Sequence, residues 1–176
     1  MTRWYNTSMG IEPAVTGELM LARGNDQDWL VAWHPADACL DGTPHGAAGV
    51  CVDPSSSLVL ISHDGYHWGF PAGRPEGTET PQETLRREMH EEACVTVTTA
   101  RLLGFARSEC VNGFQRGTVL VRSYWKADVQ IELWKPEFEI RHRRIIPAST
   151  AASQVRDPDQ AATRISFRVL VESGLI

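Results

Sequence analysis

Thr80-Pro81-Gln82-Glu83-Thr84-Leu85-Arg86-Arg87-Glu88-Met89-His90-Glu91-Glu92-Ala93 reads as a helix with clear punctuation at its start. Thr80 is a good N-cap, Pro81 suits the first helical position, and Glu83 completes a T-x-x-E capping box. Each residue advances about 100° around the axis, so with Glu88 at zero Glu92 lies at about +40° and Glu91 at about −60°. Three carboxylates therefore share one sector. Leu85, Met89 and Ala93 form an apolar stripe beside it that faces a core, while Arg87 and His90 point elsewhere. Like charges this close repel by a few tenths of a kcal/mol per i,i+4 pair, and Glu83–Arg87 and Arg87–Glu91 pairs are expected to offset part of that. A hard divalent cation would offset far more, because Mg²⁺ takes carboxylate oxygens together with water and phosphate. On these residues alone, a solvated acidic helix face is the competing reading.

Before the helix, Ala47–Val52 and Leu58–Ile61 are short apolar runs separated by the turn residues Asp53-Pro54-Ser55-Ser56-Ser57, which predicts a hairpin of buried strands. His63-Asp64-Gly65 is a further turn, and a Gly/Pro-rich loop covers residues 68–77. After the helix, the β-branched run Val95–Thr99 and segments near Leu102–Ala106, Thr118–Trp125 and Phe138–Ile146 read as strands. The second alternates Val119, Val121, Ser123, Trp125 against Thr118, Leu120, Arg122, Tyr124. Asp157-Pro158-Asp159-Gln160 opens a last helix that Ser173-Gly174 ends. Strands, a helix, strands and a terminal helix make a mixed α/β domain. Residues 1–45 read as an N-terminal extension with three of the six Trp, namely Trp4, Trp29 and Trp33. A short helix over Asp26–Ala32 would put Trp29 and Trp33 on one face, either packed on its own domain or offered as a dimer contact.

Extending the helix in both directions gives Gly73, five residues, Glu79, seven residues, then Arg87-Glu88-Met89-His90-Glu91-Glu92-Ala93-Cys94-Val95. This resembles the signature of the Nudix hydrolase family, G-x5-E-x7-R-E-U-x-E-E-x-G-U, with U a bulky aliphatic. Every specified position matches except the last glycine, which is Cys94. At ordinary residue frequencies the polar positions alone would match by chance less than about once in ten million start points. The resemblance covers roughly residues 46–147; the domain is expected to span 46–176, although no motif specifies the helix after 147.

The resemblance implies an α/β fold of the Nudix type, a mixed β-sheet sandwiched between helices, with a loop–helix–loop metal site. It implies that Glu88, Glu91 and Glu92 hold Mg²⁺ or Mn²⁺ and that the backbone carbonyl of Ala72 adds a ligand. Arg87 and Glu79 would brace the loop against the helix, and Gly73 would permit its tight approach. Cys94 stands at the helix exit, where glycine usually takes positive φ; a side chain there costs about 1 kcal/mol and removes no carboxylate. The implied activity is metal-dependent hydrolysis of the diphosphate linkage in a nucleoside diphosphate derivative. A nucleotide-binding module that kept the fold without catalysis is the alternative. Either Glu88 or Glu92 is a candidate base, as is a later glutamate: Glu139, Glu137 or Glu109. Arg74, directly after Gly73, is placed to meet the diphosphate. Arg141, Arg143 and Arg144 are weaker phosphate candidates, since alternating charge also marks an edge strand. Trp68, Phe70, Phe114, Tyr124 and Trp125 could stack on a base, although core packing is the commoner use of each.

Composition bounds the rest. The 17 Lys+Arg against 22 Asp+Glu give a net charge of −5 and a pI near 5.7, which argues against a duplex nucleic-acid surface. A polyanionic substrate would then need metal ions or a local basic cluster. No apolar run is long enough for a membrane span, and Met1–Thr7 lacks the apolar core of a secretory signal. Cys39, Cys51, Cys94 and Cys110 lie far apart, so reduced thiols and a cytoplasmic location are expected.

Overall fold

The computed structural model describes residues 10–176, so Trp4 and the opening Met1–Thr7 lie outside the described residues. In chain order the elements are β1 (Met20–Gly24), β2 (Gln27–Pro35), β3 (Thr43–Val52), β4 (Ser57–Ser62), β5 (Ala72–Gly73), α1 (Pro81–Ala93), β6 (Val95–Asn112), β7 (Val119–Ile131) and β8 (His142–Pro147). A 3₁₀ turn at Ala148–Thr150 leads into α2 (Ala151–Gln154) and α3 (Gln160–Ser173). One eight-stranded sheet runs in the order β1-β2-β6-β7-β3-β4-β8, with the short β5 attached to β3. Among the described residues β3–β7 is the one parallel pair of strands, apart from an isolated parallel bridge between Thr16 and Trp33.

Both faces of the sheet are covered. Along β3 and β4 the side chains alternate with period two. Ala47, Cys51, Val59 and Ile61 pack with Leu85, Met89 and Ala93 of α1, while Val50, Val52, Leu58 and Leu60 pack with Ile165, Val169 and Leu170 of α3. A strand buried on both sides reads as an unbroken apolar run, which is how residues 47–52 and 58–61 look in the sequence. The mixed α/β architecture with helices on either face is the one expected.

Helix α1 has the expected start: Thr80 Oγ1 accepts from the Glu83 amide, and the Glu83 side chain accepts from the Thr80 amide. That back-bond retains Glu83 at the cap, so the expected Glu83–Arg87 pair gives way to it. The exit is left-handed, with Cys94 at φ 49° and ψ 57°. Its amide bonds His90 and Met89, and Arg143 closes the exit from β8 by donating Nη1 to the carbonyls of Ala93 (2.8 Å), Cys94 (3.2 Å) and Glu132 (3.1 Å). Helix α3 is capped as expected, by Asp159 at its start and by left-handed Gly174 at its end.

Three expectations need correction. Asp26–Ala32 is not helical. Asn25 and Asp26 both have positive φ, 52° and 57°, and form a two-residue turn that closes the β1–β2 hairpin. The run Trp29-Leu30-Val31-Ala32-Trp33 then extends as β2 and pairs with β6, as aromatic and β-branched residues favour. Trp29 and Trp33 still share a face, through a period of two, and Trp33 is fully buried in the core. The segment at Leu102–Ala106 is part of one continuous strand from Val95 to Asn112. The strand proposed at Phe138–Ile146 begins only at His142, because the preceding residues form a bend that buries Ile140.

Candidate active site

The loop before α1 is fixed to the sheet first. Strand β5 pairs with β3 at Ala47–Gly73 and Ala48–Ala72, which lays residues 72–73 beneath the acidic face of α1. The Ala72 amide donates to Glu92 Oε2 at 2.8 Å. A Cβ at Gly73 would sit 1.8 Å from Glu88 Cδ and 1.8 Å from Oε1, so only glycine lets the carboxylate lie on the backbone. On β3 itself a Cβ at Gly49 would meet Met89 Sδ at 2.7 Å. Helix, loop and strand are thus in contact without intervening side chains at two glycines.

Arg87 ties the parts together. It donates Nε and Nη2 to the two oxygens of Glu79 at 2.8 and 3.0 Å, a bidentate fork. Nη2 also donates to the Arg74 carbonyl at 2.7 Å, while Nη1 reaches Glu88 at 2.9 Å and Glu91 at 3.1 Å. Glu79 further accepts from the Glu76 amide and from Thr84 Oγ1. With the guanidinium first among these partners, its carboxyl is held at about 2.

The carboxylates of α1 have the opposite electrostatics. Glu88 is 9% exposed and Glu92 6%. Burial raises both: Glu92 reaches about 7, with the Ala72 amide and Arg122 opposing the rise and the charges of Glu88 and Glu139 adding to it. Glu88 rises through burial against the pull of Arg87, with Glu91 and Glu139 adding. Four carboxylates on two segments therefore feel one another, with Glu88 and Glu92 poorly solvated and Glu139 exposed. Among the described residues no three acidic, His or Cys side chains already converge on one point, because Glu88 and Glu91 are turned toward Arg87 and Glu92 toward the Ala72 amide.

Next to this cluster opens a cavity of about 510 Å³ to which Arg74 and Arg122 both contribute, together with His45, Tyr124 and Trp29. Among the described residues neither Arg74 nor Arg122 is in an ion pair with a carboxylate. Burial, and then the guanidiniums of Arg122 and Arg74, push the His45 imidazole below its ordinary value. Sequence reasoning placed Arg74 near a diphosphate but passed over Arg122 and His45. The alternation of β7, which puts Leu120, Arg122 and Tyr124 on one face, carried the signal for Arg122.

A Nudix-domain sequence profile matches residues 43–166. The chain belongs to the Nudix family. A segment of 64 residues is 41% identical to the 8-oxo-dGTP diphosphatase of Proteus vulgaris, covering 34% of this chain and 57% of that protein. This chain therefore spans little more than half the length of that relative. Among solved structures the fold is shared with the Bacillus subtilis pyrophosphohydrolase BsRppH, at a TM-score of 0.62 and 21% identity over 83% of this chain and 92% of that one. A Nudix hydrolase of Nitrosomonas europaea follows with a TM-score of 0.57 and 17% identity, over 75% of this chain and 89% of that one.

Around the Nudix helix the later candidates separate. Glu139 is the late glutamate whose charge reaches Glu88 and Glu92. Glu137 is instead paired with Lys135 at 2.6 Å, and Glu109 with Arg107 at 3.1 Å on β6. Arg143 is engaged at the helix exit, and Arg144 lies 4.0 Å above the Trp68 ring. β8 is an edge strand, as their alternating charge suggested. Of the aromatic candidates, Trp68 and Trp125 are core residues, Phe114 is exposed, and Tyr124 lines the cavity.

Proposed function

We propose that this Nudix protein is a divalent-metal-dependent pyrophosphohydrolase that splits a nucleoside diphosphate derivative, NDP-X, into NMP and phosphoryl-X. The observation that supports it is the proximity of two desolvated carboxylates, Glu88 and Glu92, to a cavity of nucleotide size whose wall carries the guanidiniums of Arg74 and Arg122. The donor set of Glu88, Glu91, Glu92 and the Ala72 carbonyl is all oxygen, which suits Mg²⁺ or Mn²⁺. Glu91 would have to leave Arg87 Nη1 for that, and the bidentate Glu79 fork keeps Arg87 in place when it does. When bound, the ion supplies Lewis acidity and neutralises phosphate charge.

The side chains supply the rest. Arg74 and Arg122 receive the negative charge of the diphosphate. Water attacks one phosphorus, the bridging P–O bond breaks, and its electron pair leaves with the other phosphate. Glu139, the late glutamate whose charge reaches Glu88 and Glu92, is the candidate to accept the water proton, with Glu92 as the alternative. Gly73 and the Arg87–Glu79 brace orient without touching substrate.

Purified protein with Mg²⁺ and a panel of NDP-sugars, ADP-ribose, dinucleoside polyphosphates and (d)NTPs, including 8-oxo-dGTP, tests this reading. Metal-dependent release of NMP from at least one compound is expected, and its loss in a Glu91→Gln/Glu92→Gln double variant. Nucleotide binding without turnover would identify a silent binding module instead.

A further inference from the structure

Residues 132–141 link β7 to β8 and carry Glu139, whose charge reaches the carboxylates of α1. Most of this link is exposed, yet both of its ends are tied to the helix. At the start, the Glu132 amide donates to the Cys94 carbonyl at 3.0 Å. Arg143 donates Nη1 and Nη2 to the Glu132 carbonyl, each at 3.1 Å, and its guanidinium carbon lies 4.9 Å from the centre of the Trp134 ring. At the other end Ile140, directly after Glu139, is buried with Leu85, Met89 and Ala93 of α1. Between these ties the Cys94 thiol donates to the Lys135 carbonyl at 3.6 Å. Cys94 stands where the family signature has glycine, and its backbone is left-handed at φ 49°, a conformation that strains a side chain and suits glycine. A buried thiol thus keeps a strained position and gives its hydrogen to the segment that bears Glu139.

We propose that Cys94 is a positioning residue for the hydrolysis: its thiol, with Arg143 beside it, holds residues 132–141 against the exit of α1 and so keeps Glu139 near Glu88 and Glu92. This rests on the hydrolytic reading for its effect on rate. Among the described residues no hydrogen bond or ion pair restrains the Glu139 side chain itself, so its place depends on where the backbone of the link is held. Glycine at the exit would leave Arg143 and its carbonyl partners as they are and release the link only at Lys135, between the two ties. A base works only within hydrogen-bond reach of the proton it takes, so a small drift of the link is enough to slow the reaction.

Amide hydrogen exchange over residues 133–139, in the protein without metal or substrate, reads the tie. Steady-state kinetics with Mg²⁺ and the compound turned over fastest in the substrate panel reads its effect. Cys94→Ala keeps the left-handed strain and loses the thiol. Exchange should then be about 3- to 10-fold faster, and kcat should fall about 10-fold with KM little changed. Cys94→Gly should show the same two losses although its melting temperature rises by about 2–4 °C through relief of the strain. A residue of purely structural value would not slow the enzyme while its removal stabilises the fold. Cys94→Ser, which restores a donor, should recover most of both. In a Glu139→Gln background Cys94→Gly should lower kcat no further, because the group being positioned is gone. The proposal is overturned if Cys94→Gly keeps wild-type exchange or wild-type kcat, or if its loss of kcat is as large in the Glu139→Gln background. Absence of metal-dependent turnover in the wild type would defeat the hydrolase reading, whereas the exchange rates need no metal and decide the tie by themselves.

Discussion

Arg87 and Glu79 face each other as a two-point fork, 2.8 and 3.0 Å, across the join between the loop and the acidic helix. The same guanidinium bonds Glu88, Glu91 and the Arg74 carbonyl, so the fork positions the groups proposed to bear the chemistry. Glu79→Gln keeps one hydrogen bond and loses the charge and the second point. It should lower kcat/KM by about 10- to 100-fold, the usual cost of losing a group that orients metal ligands. Arg87→Lys should do likewise, since an ammonium cannot span both oxygens. Steady-state kinetics on both variants, with unchanged circular dichroism, checks this.

Gly73→Ala places a methyl where the Glu88 carboxylate now lies, 1.8 Å from its carbon. Either the loop or the carboxylate has to shift by more than 1 Å. Activity should fall by about 100-fold or more, and the gain in melting temperature on adding Mg²⁺ should shrink with it. An active Gly73→Ala enzyme would mean that Glu88 does not need its place on the loop backbone.

Glu92 gives the metal-free protein a pH-dependent stability of defined sign. Its folded value of about 7 lies above the ordinary 4.5, so between those limits the folded state holds a proton that the unfolded state releases. The contribution is complete below pH 4.5 and is lost as pH rises through 7, with an upper bound of about 3 kcal/mol. Glu79, held at about 2, acts oppositely and loses its contribution as pH falls from 4.5 toward 2. Denaturant titrations in EDTA should show stability falling from pH 5 to 7.5, and Glu92→Gln should flatten that fall.

Millimolar Mg²⁺ should reverse the slope, because a cation displaces the proton and binds the folded state alone. At a hundred times its dissociation constant it adds about 2.7 kcal/mol. The Glu91→Gln/Glu92→Gln double variant should lose this gain, as read from melting curves with and without the ion.

Arg143→Met should cost about 2 kcal/mol, since it strips the carbonyls of Ala93, Cys94 and Glu132 of a charged donor at the left-handed helix exit. Urea denaturation measures it, and Arg143→Lys should recover part.

Much of the site was legible because helix α1 carries its own instructions. The capping box, the Leu85/Met89/Ala93 stripe and the carboxylate sector depend on local spacing, and the structure reproduces them. The Glu79–Arg87 contact was suggested by the family signature and is present. Partners that meet only through sheet pairing were harder to read. The alternation of β7 gives the face on which Arg122 lies, but that this face meets the site depends on β7 lying parallel to β3, which no spacing along the chain reports. At Asp26–Ala32 an i,i+4 tryptophan pair fits a helix or a strand; Asn25-Asp26, two residues that tolerate positive φ, hold the deciding signal for the hairpin.

Strand β6 begins at Val95, one residue beyond the helix exit, and runs unbroken to Asn112, where it borders the N-terminal hairpin. The acidic helix and the N-terminal hairpin thus hang from opposite ends of a single rail, so a substitution that bends β6 would displace one against the other.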